Sequence, residues 1–437
     1  MGVYIPNTSE EQKEMLAACG LRELSDLYTD IPEEARLKKP LNIPEGLPEL
    51  AVKRQMTAEA ARNKVYPHIF RGAGAYHHYI PAIVTEITGR SSFKTAYTPY
   101  QAEISQGVLQ SIFEFQTHIC ELTGMDVANA SVYDGASAAA EACEMCRDRK
   151  RSKILVSETV DPQILSVVRT YSFGRDVEVV VVPAADVATD TASLTALLDE
   201  TTSCLLIQQP NYFGVIEDAK KMAELVHGGG AKLIMSCNPV SLALLKTPAE
   251  CGADIAVGEG QPLGLPLSFG GPYVGFMATG TKMMRKLPGR IVGETKDVDG
   301  KRGFVLTLQA REQHIRREKA SSNICSNEAL CAMTVSVYLT AMGTKGLTDV
   351  ATQCVSKAHY LQEQLAAAGQ KLRFNRPFFH EFVTDGYDAG QVLKALSDHD
   401  ILGGLPLPDG GILWCATEMN TKEEMDELVR IVKGGAS

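Results

Sequence analysis

Asp254-Ile255-Ala256-Val257-Gly258-Glu259-Gly260-Gln261-Pro262-Leu263-Gly264 continues to Gly270-Gly271-Pro272. A run of small and apolar residues, a polar turn and a glycine-rich return read as a short buried strand ending in a loop. Working outward, comparable apolar runs stand at 154–157, 177–182, 204–208, 232–235 and 274–277. Amphipathic helical stretches at 190–199 and 218–227 separate several of them. Short buried strands alternating with helices predict an α/β fold with a mainly parallel sheet covered on both faces. Ligands of such sheets bind beyond the carboxyl ends of the strands, where the 259–272 loop falls.

The first ~65 residues read as a helical arm. Thr8-Ser9-Glu10-Glu11 is a capping box, and Asp30-Ile31-Pro32-Glu33 opens a second helix with proline at its first position. Pro40, Pro44 and Pro48 then mark an extended crossing segment. Such an arm packs little of its own surface, so it wraps another part of the protein or a neighbour. After Ala329 a long helical region runs to about 368, followed by an apolar run at 378–383, a helix at 389–397, a run at 412–417 and a helix at 422–432. Asn420-Thr421-Lys422-Glu423 caps that last helix. The expected organisation is an arm over 1–65, a large α/β domain over 66–328, and a long helix with a small α/β domain over 329–437.

At 437 residues the chain exceeds one ordinary core. With 45% hydrophobic and 22% charged residues its composition is that of a soluble globular protein. No apolar run reaches the roughly 18–20 residues that span a bilayer, and Met1-Gly2-Val3-Tyr4-Ile5-Pro6 lacks a signal core; the expectation is a cytoplasmic protein. A net charge of −10 argues against nucleic acid as the main partner. The 11 cysteines are odd in number and scattered in apolar stretches, which predicts reduced, buried thiols. Cys143 and Cys146 form a Cys-x-x-Cys pair with no second pair or histidine cluster beside it, so no metal is expected.

Three further segments could carry chemistry. Ser131-Val132-Tyr133-Asp134-Gly135-Ala136-Ser137-Ala138 is a small-residue loop entering a helix, which can hold a phosphate through backbone N–H groups or be a plain helix start. The Asp134 carboxylate counts against the phosphate reading, because it would repel the anion. Arg311-Glu312-Gln313-His314-Ile315-Arg316-Arg317-Glu318-Lys319-Ala320-Ser321-Ser322-Asn323-Ile324-Cys325 is either a solvated basic face or an anion- or interface-binding loop. Tyr97-Thr98-Pro99-Tyr100-Gln101-Ala102-Glu103-Ile104-Ser105-Gln106-Gly107 is a helix lead-in or the lining of a channel.

Together these segments resemble one family, glycine decarboxylase, the P-protein of the glycine cleavage system, and within it the N-terminal half or separate subunit 1. The match also includes Phe70-Arg71-Gly72-Ala73-Gly74-Ala75-Tyr76, Asp126-Val127-Ala128-Asn129-Ala130-Ser131, Asn211-Tyr212-Phe213-Gly214-Val215-Ile216-Glu217-Asp218 and Pro288-Gly289-Arg290-Ile291-Val292-Gly293-Glu294-Thr295. The resemblance implies the aspartate aminotransferase-like, fold type I architecture of pyridoxal-phosphate-dependent transferases. In that fold a strand such as 255–257 ends in the lysine that holds the cofactor. With the Gly-Gly-Pro returns matched, Gln261 takes that position, and its amide cannot form a Schiff base.

The resemblance therefore implies a subunit of glycine dehydrogenase (decarboxylating), an oxidoreductase of glycine catabolism, that binds no cofactor or metal itself. Pyridoxal phosphate belongs to subunit 2, in an α2β2 heterotetramer, and the aminomethyl group left after CO2 release passes to the lipoyl group of the H-protein. No residue here is expected to be catalytic. Arg71, Tyr97, Tyr100, Gln101, His314, Arg316 and Arg317 are expected to line the active-site channel or the interface. Asp134, Ser137 and Gln261 mark a vestigial cofactor pocket. Val156-Ser157-Glu158-Thr159-Val160-Asp161-Pro162 departs from the family by placing Asp161 where His-Pro is expected. Two alternatives stand beside this reading: a self-sufficient enzyme using Lys246 or Lys282, and a non-enzymatic scaffold or regulator of the same fold.

Overall fold

The computed structural model describes residues 6–434; the reading of the first five residues as lacking a signal core lies outside them. The chain divides into two units, Met1–Val65 and Tyr66–Ser437. In the first, the Thr8 hydroxyl and the Glu11 carboxylate complete the capping box of the helix Ser9–Ala18. The second expected helix is a three-residue 3-10 turn, Glu33–Ala35, with Pro32 at its N-cap rather than its first helical position. A helix not foreseen, Glu49–Ala60, follows the prolines. Neither α-helix buries a residue, and Leu24, Leu27, Tyr28, Leu41, Ile43 and Leu50 are all exposed, so the described residues of this unit build no core of their own.

The second unit is organised by a seven-stranded sheet in the order Val127–Ala128, Gly275–Thr279, Ile255–Glu259, Lys232–Cys237, Thr202–Gln209, Lys153–Ser157, Val179–Val182. All pairs are parallel except those made by Gly275–Thr279, which runs antiparallel to both neighbours. Alternate residues face opposite sides of a strand, and here both sides are apolar. Leu155, Leu205, Leu233 and Ala256 enter one buried cluster, while Ile154, Cys204, Ile234 and Ile255 enter another. That two-sided burial is why the strands read as unbroken apolar runs. Asp190 and Asp218 cap the helices Thr191–Leu197 and Ala219–Gly228 by accepting backbone N–H groups of their first turns.

The long helix Ala329–Ala367 bends at Gly343, whose φ of 61° is non-helical. Its first part packs in the sheet core through Val335 and Tyr338, and its end packs through Ala358, Leu361 and Leu365 into a second core around Trp414 and Phe382. That core lies on a four-stranded antiparallel sheet, Lys371–Leu372, Glu381–Asp385, Ile412–Cys415 and Leu405–Pro406, with the helices Ala389–Asp398 and Lys422–Gly434. A hairpin of Ile291–Lys296 and Arg302–Thr307 packs Val292 and Phe304 against Leu109 and Ile112 of the helix Gln106–Thr123. All 11 cysteines are free; eight are buried, but Cys19 and Cys325 are exposed and Cys120 is half-buried, so the expectation of uniformly buried thiols is too broad.

Candidate functional site

The strand Ile255–Glu259 delivers Glu259 and then Gln261 to the carboxyl edge of the sheet. Gln261 is buried and its amide is fully engaged. Its Oε1 accepts from the Tyr76 backbone N–H at 2.8 Å, and its Nε2 donates to the Tyr76 carbonyl at 2.9 Å and the Leu265 carbonyl at 2.8 Å. The side chain braces one backbone segment against another and supplies no nucleophile.

Beside it, Glu259 turns towards the N-terminus of the helix Gly135–Cys146. Its Oε2 accepts the Gly135 N–H at 3.0 Å, and its Oε1 accepts the Gln261 and Val274 N–H groups, each at 3.0 Å. Asp134 takes the Ser137 N–H at 2.7 Å. Burial pushes the Glu259 carboxyl up to about 7, against the pull of these N–H donors, with the Asp134 charge adding to the rise. The donors that a phosphate would need are thus taken by two carboxylates, which also oppose an anion. These residues do not fit a phosphate-bearing cofactor, and Gln261 does not fit its aldehyde.

A cavity of about 390 Å³ opens here, lined among others by Ala73, Tyr76, Asp134, Asp161, Asn238 and Glu259. Asp161 has a definite task. Its carboxylate accepts the Gln163 N–H at 2.8 Å and caps the helix Pro162–Phe173, while its own N–H donates to the Gln208 side-chain oxygen at 2.8 Å. Burial raises its pKa.

Sequence reasoning passed over Glu259, Tyr76, Glu381 and His380. The Tyr76 hydroxyl donates to Glu381 Oε2 at 2.8 Å, the Ala73 N–H donates to Oε1 at 2.7 Å, and burial pushes this carboxyl up to about 7. The Tyr76 and His380 rings lie 4.7 Å apart. His380-Glu381 was the polar interruption in the 378–383 apolar run, and that was the available signal. The 211–218 motif serves the same region. A Cβ on Gly214, at φ +87°, would meet the Glu381 carbonyl oxygen at 1.9 Å.

The residues expected in a channel divide. Arg71 is half-buried and spent on carbonyls, donating to Gly403 at 3.1 Å and Gly404 at 2.8 Å. Tyr100 accepts from buried Arg290 at 3.0 Å, lies under its guanidinium at 5.2 Å and meets the His314 ring edge-on at 6.4 Å. Tyr100 and Gln101 line a separate groove of about 660 Å³. Tyr97, 92% exposed, and exposed Arg317 make no side-chain hydrogen bond among those described; Arg316, also exposed, donates only to the Ala310 carbonyl. Within the basic segment Arg311 turns inward, donating to the Leu308 and Gly289 carbonyls. Arg290, with no carboxylate within ion-pair reach among the described residues, was missed because it stood alone among apolar neighbours.

The sheet order, its one antiparallel strand and the loop at its carboxyl edge define the fold of pyridoxal-phosphate-dependent fold type I enzymes. A sphingosine-1-phosphate lyase of Burkholderia pseudomallei has that fold with a TM-score of 0.66 at 15% identity, over 93% of this chain and 94% of that one. The sequence profile of the glycine cleavage system P-protein matches residues 2–432, and the chain belongs to that family. A crystal structure of glycine decarboxylase (P-protein) of the glycine cleavage system, in inhibitor-bound form, superposes with a TM-score of 0.92 at 41% identity, covering 99% of this chain and 100% of that one. Probable glycine dehydrogenase (decarboxylating) subunit 1 of Moorella thermoacetica is 52% identical over 99% of both chains, and that of Desulfitobacterium hafniense 51% over 98% of both.

Proposed function

We propose that this chain is subunit 1 of glycine dehydrogenase (decarboxylating) in the glycine cleavage system, working with a pyridoxal-phosphate-bearing subunit 2 in a cytoplasmic α2β2 assembly. The single observation that carries the division of labour is Gln261, a fully hydrogen-bonded amide in the residue we match to the cofactor lysine, with Glu259 and Asp134 holding the neighbouring helix N-terminus. Glycine loses CO2 at subunit 2, and the aminomethyl group goes to the lipoyl arm of the H-protein.

This chain contributes surface and positioning. Tyr97, Tyr100, Gln101, His314, Arg316 and Arg317 face outward and can line the lipoyl channel or the subunit contact, with buried Arg290 holding Tyr100 from behind. Arg71 acts one step back, fixing the 71–76 segment to the small sheet through the Gly403 and Gly404 carbonyls.

Reconstitution tests the reading. Borohydride reduction with added pyridoxal phosphate should label a lysine of subunit 2 and none of this chain, and glycine-dependent CO2 release should require both subunits. A labelled lysine here, such as Lys246 or Lys282, overturns the assignment. Full activity of subunit 2 alone would reduce this chain to a scaffold.

A further inference from the structure

We propose that His78, Cys354 and Glu418 form a binding site for one zinc-like divalent cation. The residues come from three places: the segment before the helix Ala82–Thr88, the second half of the long helix Ala329–Ala367, and the loop between Ile412–Cys415 and Lys422–Gly434. No sequence spacing joins them. His78 and Cys354 are buried and Glu418 is half-buried, and one ligand atom from each lies within 4.8 Å of the others. His78 Nδ1 is 2.8 Å from Glu418 Oε2, and Cys354 Sγ is 3.5 Å from the same oxygen. A tetrahedral zinc with Zn–N and Zn–O near 2.0–2.2 Å and Zn–S near 2.3 Å has N···O and S···O edges of roughly 3.3 and 3.5 Å. The S···O edge already has that length, and the His–Glu pair has to open by ~0.5 Å to reach that geometry.

The donor set matches the cation in charge and softness. A neutral imidazole, a thiolate and a carboxylate offset two positive charges, and they are the ligand types that zinc selects. Glu418 is held for the task from its other side, since its Oε1 accepts the Tyr79 N–H at 2.7 Å and its carbonyl accepts Lys357 Nζ at 2.5 Å. Among the described residues the hydroxyl of buried Tyr338 has no hydrogen-bond partner. Glu418 also lines a surface cavity of about 540 Å³ together with Tyr79, Met342, Asp349 and Met419, which gives the cation its entry.

Binding releases the Cys354 thiol proton to solvent, shifts the imidazole proton from Nδ1, where it is shared with Glu418, to Nε2, and changes no oxidation state. The bound cation ties the long helix and the small domain to the Tyr76–Tyr79 backbone against which Gln261 is braced. It is therefore a staple behind the cavity rather than a catalytic centre.

The full-length chain, purified without metal, is titrated with Co²⁺. One equivalent should produce tetrahedral visible bands and a near-ultraviolet thiolate-to-cobalt band, and Zn²⁺ should bleach both. Cys354→Ser should lose the thiolate band, and Glu418→Gln and His78→Gln should each weaken Co²⁺ binding by about 10-fold or more, the range seen when even a supporting partner of a metal ligand is lost. Zn²⁺ should raise the melting temperature of the parent chain and not that of Cys354→Ser. Absence of the thiolate band in the parent chain overturns the site, as does its persistence in Cys354→Ser. If the serine variant does not fold, unchanged Co²⁺ affinity in both other variants overturns it equally.

Discussion

Gln261 and Tyr76 are locked by a reciprocal pair of hydrogen bonds, side-chain amide to main chain, at 2.8 and 2.9 Å. The pair joins two segments 185 residues apart, at the residue we propose stands in place of the cofactor lysine.

Placing a lysine at 261 should not create a cofactor site. In Gln261→Lys the Glu259 and Asp134 carboxylates still hold the Gly135 and Ser137 N–H groups. The expected result is no stoichiometric borohydride-fixed pyridoxyl adduct. The buried Tyr76 N–H also loses its acceptor, at a cost of about 1–3 kcal/mol measured by urea unfolding. A full adduct at normal stability would contradict this.

Burial pushes both Glu259 and Glu381 up from an ordinary 4.5 to about 7. A folded-state pKa above the unfolded one means the folded chain binds the proton more tightly. The resulting stability is fully present below pH 4.5 and is lost as pH rises through about 7. Each group contributes about 3 kcal/mol at most. Glu381→Gln should flatten the decline between pH 5 and 8; superimposable pH profiles for parent and variant would rule this origin out.

Gly214→Ala should be among the most damaging small substitutions in the chain. The new methyl would sit 1.9 Å from the Glu381 carbonyl oxygen, on a residue with φ of +87°. Left-handed strain alone costs about 1–3 kcal/mol, and the clash adds to it. We expect a loss above about 3 kcal/mol in denaturant midpoint, or failure to fold. Parent-like stability would show that this approach is not obligatory.

Tyr97→Phe and Arg316→Ala alter exposed groups, so the isolated chain should keep its stability within about 0.5 kcal/mol. In the reconstituted enzyme each should lower glycine decarboxylation or H-protein coupling by roughly 10-fold, the equivalent of one lost hydrogen bond of about 1.4 kcal/mol. Tyr100→Phe differs, because it also removes one of the two side-chain acceptors of buried Arg290, the other being Ser326, and should cost about 1.5–3 kcal/mol of stability. If all three variants couple normally, these residues do not line the channel.

The sequence by itself determined the sheet and the presence of an amide at 261. Apolar runs with both faces buried report a covered parallel sheet wherever they occur, and a glutamine at 261 is a glutamine in any conformation. Local signals were legible too, such as the Thr8–Glu11 capping box, because their partners lie within one helical turn. Pro32 misled because it stands at the N-cap of a turn that stops after three residues, and the packing that would extend a turn into a helix is not encoded there. Only the tertiary structure decided that Glu259 reaches the N-terminus of a helix 124 residues away, and that Arg311 turns inward while Arg316 and Arg317 face out. It alone brought His78 to Glu418 across 340 residues. Hydrogen bonds and ligand sets of that kind depend on which chain ends the fold brings together, and no periodicity or spacing carries that distance.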